Sequence, residues 1–122
     1  AEVRRNAVGL LGDIAQEYPQ HVAIHIPTLA TCLGDSEALV RRNASITLVR
    51  CGEADADAIR EQSDLIEDAL TDDQPEVRKN ACVLVGNATP PVSSDQVEQL
   101  VTTDPDPDVQ EIAQWALRQI RS

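Results

Sequence analysis

The pentapeptide Val3-Arg4-Arg5-Asn6-Ala7 returns almost unchanged as Val40-Arg41-Arg42-Asn43-Ala44 and again as Val77-Arg78-Lys79-Asn80-Ala81. The interval is 37 residues each time, and a weaker copy, Val109-Gln110-Glu111-Ile112-Ala113, follows 32 residues after the third. A fixed period in this range is typical of stacked supersecondary units, each of which buries its apolar face against its neighbours. The sequence therefore predicts a repeat architecture with one continuous core.

Each copy of the pentapeptide opens an amphipathic segment. Counted from the first valine, offsets 0, +4, +7, +8 and +11 are apolar in all four copies, with Thr47 as the single exception. This spacing places the side chains on one face of an α-helix. Shorter amphipathic segments lie between the copies, at about residues 21–33, 57–70 and 94–101. We therefore expect an all-α chain of seven helices, in which the pentapeptide helices (B helices) alternate with A helices in the order B-A-B-A-B-A-B.

Residues at the ends of these segments agree with helix boundaries. Pro75 and Pro107 fall where the first helical turn does not need an N–H group, and Asp35 and Ser36 are placed to cap the second B helix. The sequence Ser93-Ser94-Asp95-Gln96 predicts a capping box at the start of the third A helix.

An aspartate in the turn followed by Val-Arg is the most specific motif, present as Asp35 before Val40-Arg41 and as Asp72 before Val77-Arg78. With this motif the chain resembles HEAT-repeat proteins of the short, lyase-type kind common in prokaryotes. The resemblance implies an α-α superhelix (solenoid) of about three and a half helical hairpins. We expect one domain over residues 1–122, with units at about 1–36, 37–73, 74–104 and 105–122. Because the sequence begins in mid-repeat, it is expected to be part of a longer array.

The resemblance also implies a structural ladder of Asp35, Arg41, Asp72 and Arg78 between neighbouring repeats. An arginine in the first turn of a helix lies at the unfavourable end of the helix dipole, which a nearby carboxylate offsets. We expect Arg41→Ala to lower the melting temperature. Asp104 is followed six residues later by Gln110 instead of arginine, so the last rung is expected to lack its cation.

Composition bounds the partners. The chain has 21 acidic and 10 basic residues, a formal charge of −11, and a single lysine, Lys79. A strong negative field repels phosphate backbones, so no nucleic-acid partner is expected. The acidic, lysine-poor composition resembles that of proteins from salt-loving archaea, which predicts that molar potassium chloride stabilises the fold by screening self-repulsion. No apolar run is long enough to cross a bilayer, so no membrane partner is expected.

Nothing in the sequence predicts catalysis, a cofactor or a metal. His21 and His25 are four residues apart, but no third ligand accompanies them. Phosphate-binding loops, dinucleotide fingerprints and nucleophile elbows are missing from the sequence. The three cysteines, Cys32, Cys51 and Cys82, are widely spaced and favour reduced core thiols in a cytoplasmic protein.

The face of the B helices opposite the core carries a stripe at offsets +2, +6 and +9. We call this set the B-helix stripe; its members are Arg5, Arg42, Ile46, Val49, Lys79, Val83 and Trp115. In an acidic molecule the stripe is basic and partly apolar, which is typical of a contact surface. Two interpretations remain open: a groove for a partner, or packing between neighbouring B helices, with Trp115 covering the end of the stack.

The sequence thus favours a non-enzymatic scaffold that offers a concave surface to a protein or peptide, with a preference for an acidic or amphipathic segment. A regulatory or substrate-holding module of a lyase-type enzyme, whose catalytic residues lie elsewhere, is the alternative. A third hypothesis is self-association through the open first helix, whose apolar face has no preceding A helix.

Overall fold

The computed structural model describes residues 2–122, so the first residue of the predicted first unit lies outside the described residues. In these residues the chain is all-α, without a β-strand, and the predicted order of seven helical segments is confirmed. The segments, in chain order, are α1 (Glu2–Glu17), α2 (Pro19–Val22) with α3 (Ile26–Cys32), α4 (Ala38–Gly52), α5 (Ala56–Arg60) with α6 (Ser63–Ala69), α7 (Pro75–Ala88), α8 (Ser94–Thr103) and α9 (Pro107–Arg121).

The first two A segments are broken, where the sequence predicted single helices. Between α2 and α3 the backbone forms a 3₁₀ turn at Ala23–His25. Pro27 lies in the first turn of α3, and because it has no N–H it cannot continue a helical hydrogen-bond ladder from α2. Between α5 and α6 the N–H of Gln62 donates to the carbonyl of Ile59 at 2.9 Å. This bond spans three residues, as in a 3₁₀ turn, instead of the four that an α-helix spans.

The B helices lie side by side in the order α1, α4, α7 and α9, and each A segment packs against the B helix that follows it. All five core offsets of α4 and α7 are buried. Thr47, the polar exception, is 1% exposed, and its hydroxyl donates to the carbonyl of Asn43 at 2.8 Å. A satisfied hydroxyl costs little in an apolar environment, so the core runs without interruption from α4 to α9.

The same apolar pattern in α1 is uncovered. Val3 is 78% exposed and Leu10 61%, whereas Val40 and Leu84, at the same offsets of later copies, are 0% and 2% exposed. The A segment α2 contacts α1, but it leaves Val3 and Leu10 exposed. The exposed apolar face expected at the first helix is therefore present.

Helix ends follow the sequence in part. Pro75 and Pro107 occupy the first turns of α7 and α9 as expected. The side chain of Asp106 caps α9, accepting from the N–H groups of Asp108 at 2.8 Å and Val109 at 3.4 Å. The predicted capping box is wrong: Ser93 is the N-cap of α8, but its hydroxyl accepts no cap hydrogen bond from the described residues.

Candidate functional site

Stacking of the B helices brings the B-helix stripe together on one surface. Arg5 lies on α1, Trp115 lies on α9, and the remaining members lie on α4 and α7. All seven residues are at least partly exposed to solvent, and Arg42 is the most exposed of them. Val49 and Trp115 also pack against the buried core. Ile46 and Val83, by contrast, are partly exposed and are not among the partly buried side chains that pack against the core.

The positive charge of the stripe is mostly paired. The Nε atom of Arg5 lies 3.8 Å from a carboxylate oxygen of Glu37, and Nε of Arg42 lies 2.6 Å from one of Glu76. Each carboxylate comes from the start of the next B helix. The two acids occupy different offsets from their valines, so the repeat pattern did not reveal them. Lys79 has no carboxylate within ion-pair distance among residues 2–122, and the stripe is less basic than the sequence indicated.

Lys79 borders an open groove of about 530 Å³ at the starts of α7 and α9. Carboxylates of Glu76, Asp106 and Asp108 line the same groove. Glu76 already pairs with Arg42, and Asp106 already caps α9. The groove has mixed charge, and two of its three acids are engaged in holding the fold.

Two contacts bridge neighbouring B helices. Between α1 and α4 the Nη1 atom of Arg50 donates to the carbonyl of Gly12 at 2.9 Å. Between α7 and α9 the indole of Trp115 lies over Gly86, so closely that a Cβ at this glycine would collide with the ring. Trp115 is therefore a packing residue at the end of the stack.

Replacing Gly86 with alanine is expected to displace the Trp115 ring and to destabilise the fold by about 1–3 kcal/mol, because the added methyl overpacks the contact. Trp115 is the only tryptophan, so its fluorescence reports the displacement directly. Gly9→Ala is the matched control: a Cβ there meets only the amide of Asn43, at 3.9 Å. That control should gain stability from the helix propensity of alanine. Equal, small effects at both positions would contradict the assigned packing.

Three arginine–aspartate pairs connect the first turn of a B helix to the turn before the next B helix. The Nε atom of Arg41 lies 2.9 Å from a carboxylate oxygen of Asp72, and that of Arg78 lies 2.7 Å from Asp104. Arg4 makes the same contact with Asp35 at 2.8 Å. Exposure falls along the series: the arginine side chains are 50%, 15% and 11% exposed from the first pair to the last. The last pair is thus the most shielded from solvent.

The pairs join neighbouring repeats, since each arginine meets the aspartate of the next repeat. In Arg41 and Arg78, Nη1 also donates to the backbone carbonyl of the aspartate six residues before, at 2.8 Å and 2.9 Å. The expectation that Asp104 lacks a cation is wrong, because Arg78 reaches forward to it. Gln110 takes the place of the missing arginine by donating to the Asp104 carbonyl at 2.7 Å.

Each aspartate of the ladder also shapes its own turn. The carboxylate of Asp104 accepts the N–H of Asp106 at 2.9 Å, and Asp35 and Asp72 accept equivalent bonds two residues on. Burial alone would raise the pKa of Asp104, but the hydrogen bonds from Arg78 and from this N–H outweigh it and hold the pKa below its ordinary value. These residues therefore hold neighbouring repeats in register as charged groups.

Groups that could carry catalysis or bind a metal are scattered. His21 and His25 are both exposed, and within residues 2–122 no group of three or more His, Cys, Asp or Glu side chains is arranged so that it could hold a metal ion. Burial raises the pKa of the Cys51 thiol to about 11 and that of Cys82 to about 12, so both are protonated and unreactive at neutral pH. None of the helices in the described chain combines the length and apolar composition that a bilayer crossing requires.

Comparison with known proteins assigns the fold to a family. A sequence model described as non-SMC mitotic condensation complex subunit 1 (Cnd1) matches residues 2–87, and a model of HEAT repeats matches residues 57–118. No curated protein matches the chain significantly. The prediction of a salt-adapted source thus continues to rest on composition alone.

Two crystal structures of engineered proteins share the architecture. The first superposes with a TM-score of 0.82 at 24% identity, over 100% of this chain and 34% of the engineered one. The second has a TM-score of 0.76 at 22% identity, over 99% and 57% of the two chains. At such identities the likeness shows the fold alone, and this chain spans only part of either protein's length. Repeat sequence, stacked hairpins and both sequence models agree, and the chain belongs to the HEAT-repeat family.

Proposed function

We propose that this chain is a non-enzymatic scaffold that presents its B-helix stripe to a protein or peptide partner. HEAT repeats generally mediate protein interactions, and the match of residues 2–87 to a subunit of a multi-protein complex supports such a role. The observation that carries the proposal is the environment of Ile46 and Val83. Both are half-exposed on adjoining helices, whereas the core positions of those helices are buried. Leu39, at the edge of the same face, is 42% exposed.

The partner is expected to contact this face chiefly through apolar side chains. Because Arg5 and Arg42 lie against carboxylates of the chain itself, an acidic partner would have to compete with Glu37 and Glu76 for them. Exposed pairs of this kind contribute little to affinity, whereas buried apolar anchors dominate most interfaces. We therefore retain the prediction of an amphipathic partner segment. Within the stripe, only Lys79 is expected to attract an acidic side chain of that segment.

Aspartate substitutions on the stripe test the proposal. Immobilised wild-type chain is expected to retain a binding protein from lysate of the source organism, and Ile46→Asp and Val83→Asp should each weaken retention at least tenfold, because a carboxylate would be buried in an apolar contact. Ile24→Asp is the matched control, since Ile24 is 77% exposed but lies in the turn between α2 and α3. If all four chains retain the same protein equally, the stripe is not the binding face.

The uncovered face of α1 supports a second proposal, self-association through the first helix. Val3, Leu10 and Ile14 are exposed on it, at 78%, 61% and 37%. Two copies that pack these faces against each other would bury the apolar surface that A segments bury in later repeats. Light scattering over graded concentrations should show dimers for the wild type and monomers for Leu10→Asp. A wild type that stays monomeric at millimolar concentration would contradict this proposal.

A further inference from the structure

An apolar cavity of about 270 Å³ opens where α4, α5 and α7 meet. Its walls include the side chains of Val49, Ile59 and Leu84, and Gly52 and Ala56 line it but are too small to fill it. Val49 belongs to the B-helix stripe, so the cavity is continuous with the proposed interaction face.

Single side chains reach across the other two junctions between B helices. Arg50 reaches across to Gly12 in the gap between α1 and α4, and Trp115 covers Gly86 between α7 and α9. Between α4 and α7 the cavity remains accessible. An open apolar cavity beside a half-exposed apolar stripe is a surface that association with a partner would remove from water.

The size of the cavity limits what it can hold. Pockets for drug-sized ligands and cofactors span about 300–1,000 Å³, and this cavity is smaller. A single side chain of a partner fits that volume better than a cofactor.

The mouth of the cavity is acidic. Glu53 lines it and is exposed, and Asp55 follows in the same 3₁₀ turn. Neither carboxylate forms an ion pair with the described residues, although Asp55 caps α5 by accepting the N–H of Ala58 at 3.1 Å. The nearby cation, Arg60, is already engaged: it pairs with Asp57, and its Nη1 donates to the carbonyl of Ala88 at 3.0 Å. A positively charged residue beside the inserted side chain would therefore find unpaired carboxylates at the rim.

From this geometry we propose that the cavity receives one leucine-sized apolar side chain of a partner peptide, flanked by lysine or arginine. The inference rests on the proposed scaffold function and names the partner's chemistry: an apolar anchor between basic residues. It differs from the acidic segment that the sequence of the stripe favoured, because the cations of the stripe are paired and the carboxylates at the cavity mouth are not.

Synthetic pentapeptides test the inference. The probe is Lys-Lys-Leu-Lys-Lys, with Lys-Lys-Ala-Lys-Lys and Glu-Glu-Leu-Glu-Glu as comparisons, each titrated into ¹⁵N-labelled wild-type chain and followed by NMR. The leucine peptide should shift the amide signals of Val49, Ala56 and Asn87 in a saturable manner. Truncating leucine to alanine should weaken binding about tenfold or more, since most of the buried apolar surface is lost. The glutamate peptide should bind more weakly still, because its charge repels the rim.

Two variants separate the cavity from the rim. Ala56→Leu fills the cavity from within and should abolish the saturable shifts, with circular dichroism confirming that the fold is intact. Glu53→Lys leaves the cavity open and should weaken binding several-fold, and Asp68→Lys makes the same charge change on exposed α6 as the control.

The outcomes distinguish this inference from the proposed function. Equal binding of the leucine and alanine peptides, or unchanged binding to Ala56→Leu, would overturn the cavity proposal. The scaffold function would survive that result if a natural partner were still lost on Ile46→Asp. A small apolar molecule, such as isobutanol, that shifts the same amides more strongly than the peptide would also overturn the proposal, in favour of a small-ligand site.

Discussion

Asp104→Ala is expected to lower the free energy of unfolding by about 3–5 kcal/mol, the usual cost of removing one partner from a buried ion pair. The Asp104 side chain is 2% exposed and that of Arg78 is 11% exposed. The substitution leaves the guanidinium without its carboxylate and the N–H of Asp106 without its acceptor. Urea unfolding followed by circular dichroism measures the loss, which corresponds to a fall in melting temperature on the order of 10 °C.

Other rungs of the ladder are the controls. Arg41→Ala should also lower the melting temperature, since Arg41 is 15% exposed and pairs with both Asp72 and Asp73. Arg4→Ala should have a much smaller effect, because half of that side chain is in water and solvent screens the pair. Equal losses for Arg4→Ala and Arg41→Ala would show that burial does not set the strength of the ladder.

Low pH should weaken the ion pair between Arg78 and Asp104. The pKa of Asp104 in the folded chain lies below the ordinary value of 3.8. Its contribution is therefore complete above that value and is lost as the pH falls through the folded pKa. Wild-type stability should decline below about pH 4, and the decline should be shallower in Asp104→Ala. An identical acid limb in both chains would contradict the role given to this carboxylate.

Leu84→Ala is expected to cost about 2–5 kcal/mol, because it removes three carbons from a buried site and leaves a cavity. Leu84 is 2% exposed in α7. Leu10 has the same offset in the first copy but is 61% exposed, and Leu10→Ala should change stability by less than about 0.5 kcal/mol. Both variants should be unfolded with urea in dilute solution, below any concentration at which copies associate. Similar losses at the two leucines would mean that the face of α1 is covered in solution.

Leu84 and Leu10 show what the repeat pattern predicts and what it does not. The pattern placed both on the core face of a B helix, and it identified the helices, their order and the family. The pattern could not predict which of the two leucines is buried, because burial depends on whether an A segment packs on that face. The broken A segments have the same explanation, since an apolar period of 3.6 does not show where the backbone tightens into a 3₁₀ turn.

The repeat pattern predicted less of the candidate site than of the fold. Offsets from the valines located the cations of the stripe, but not Glu37 and Glu76, which approach them from the next repeat at different offsets. No sequence pattern predicted the cavity beside Val49 either. It depends on the small size of Gly52 and Ala56 and on how α4, α5 and α7 pack against one another.

By itself, the sequence determined the helical period, the repeat unit and the residues that face the core, because these depend on spacing along one chain. Tertiary structure decided which faces are covered, which arginine meets which aspartate and where a cavity remains. Those outcomes depend on side chains about 30 residues apart that meet only when the hairpins stack, as Arg78 and Asp104 do across 26 residues.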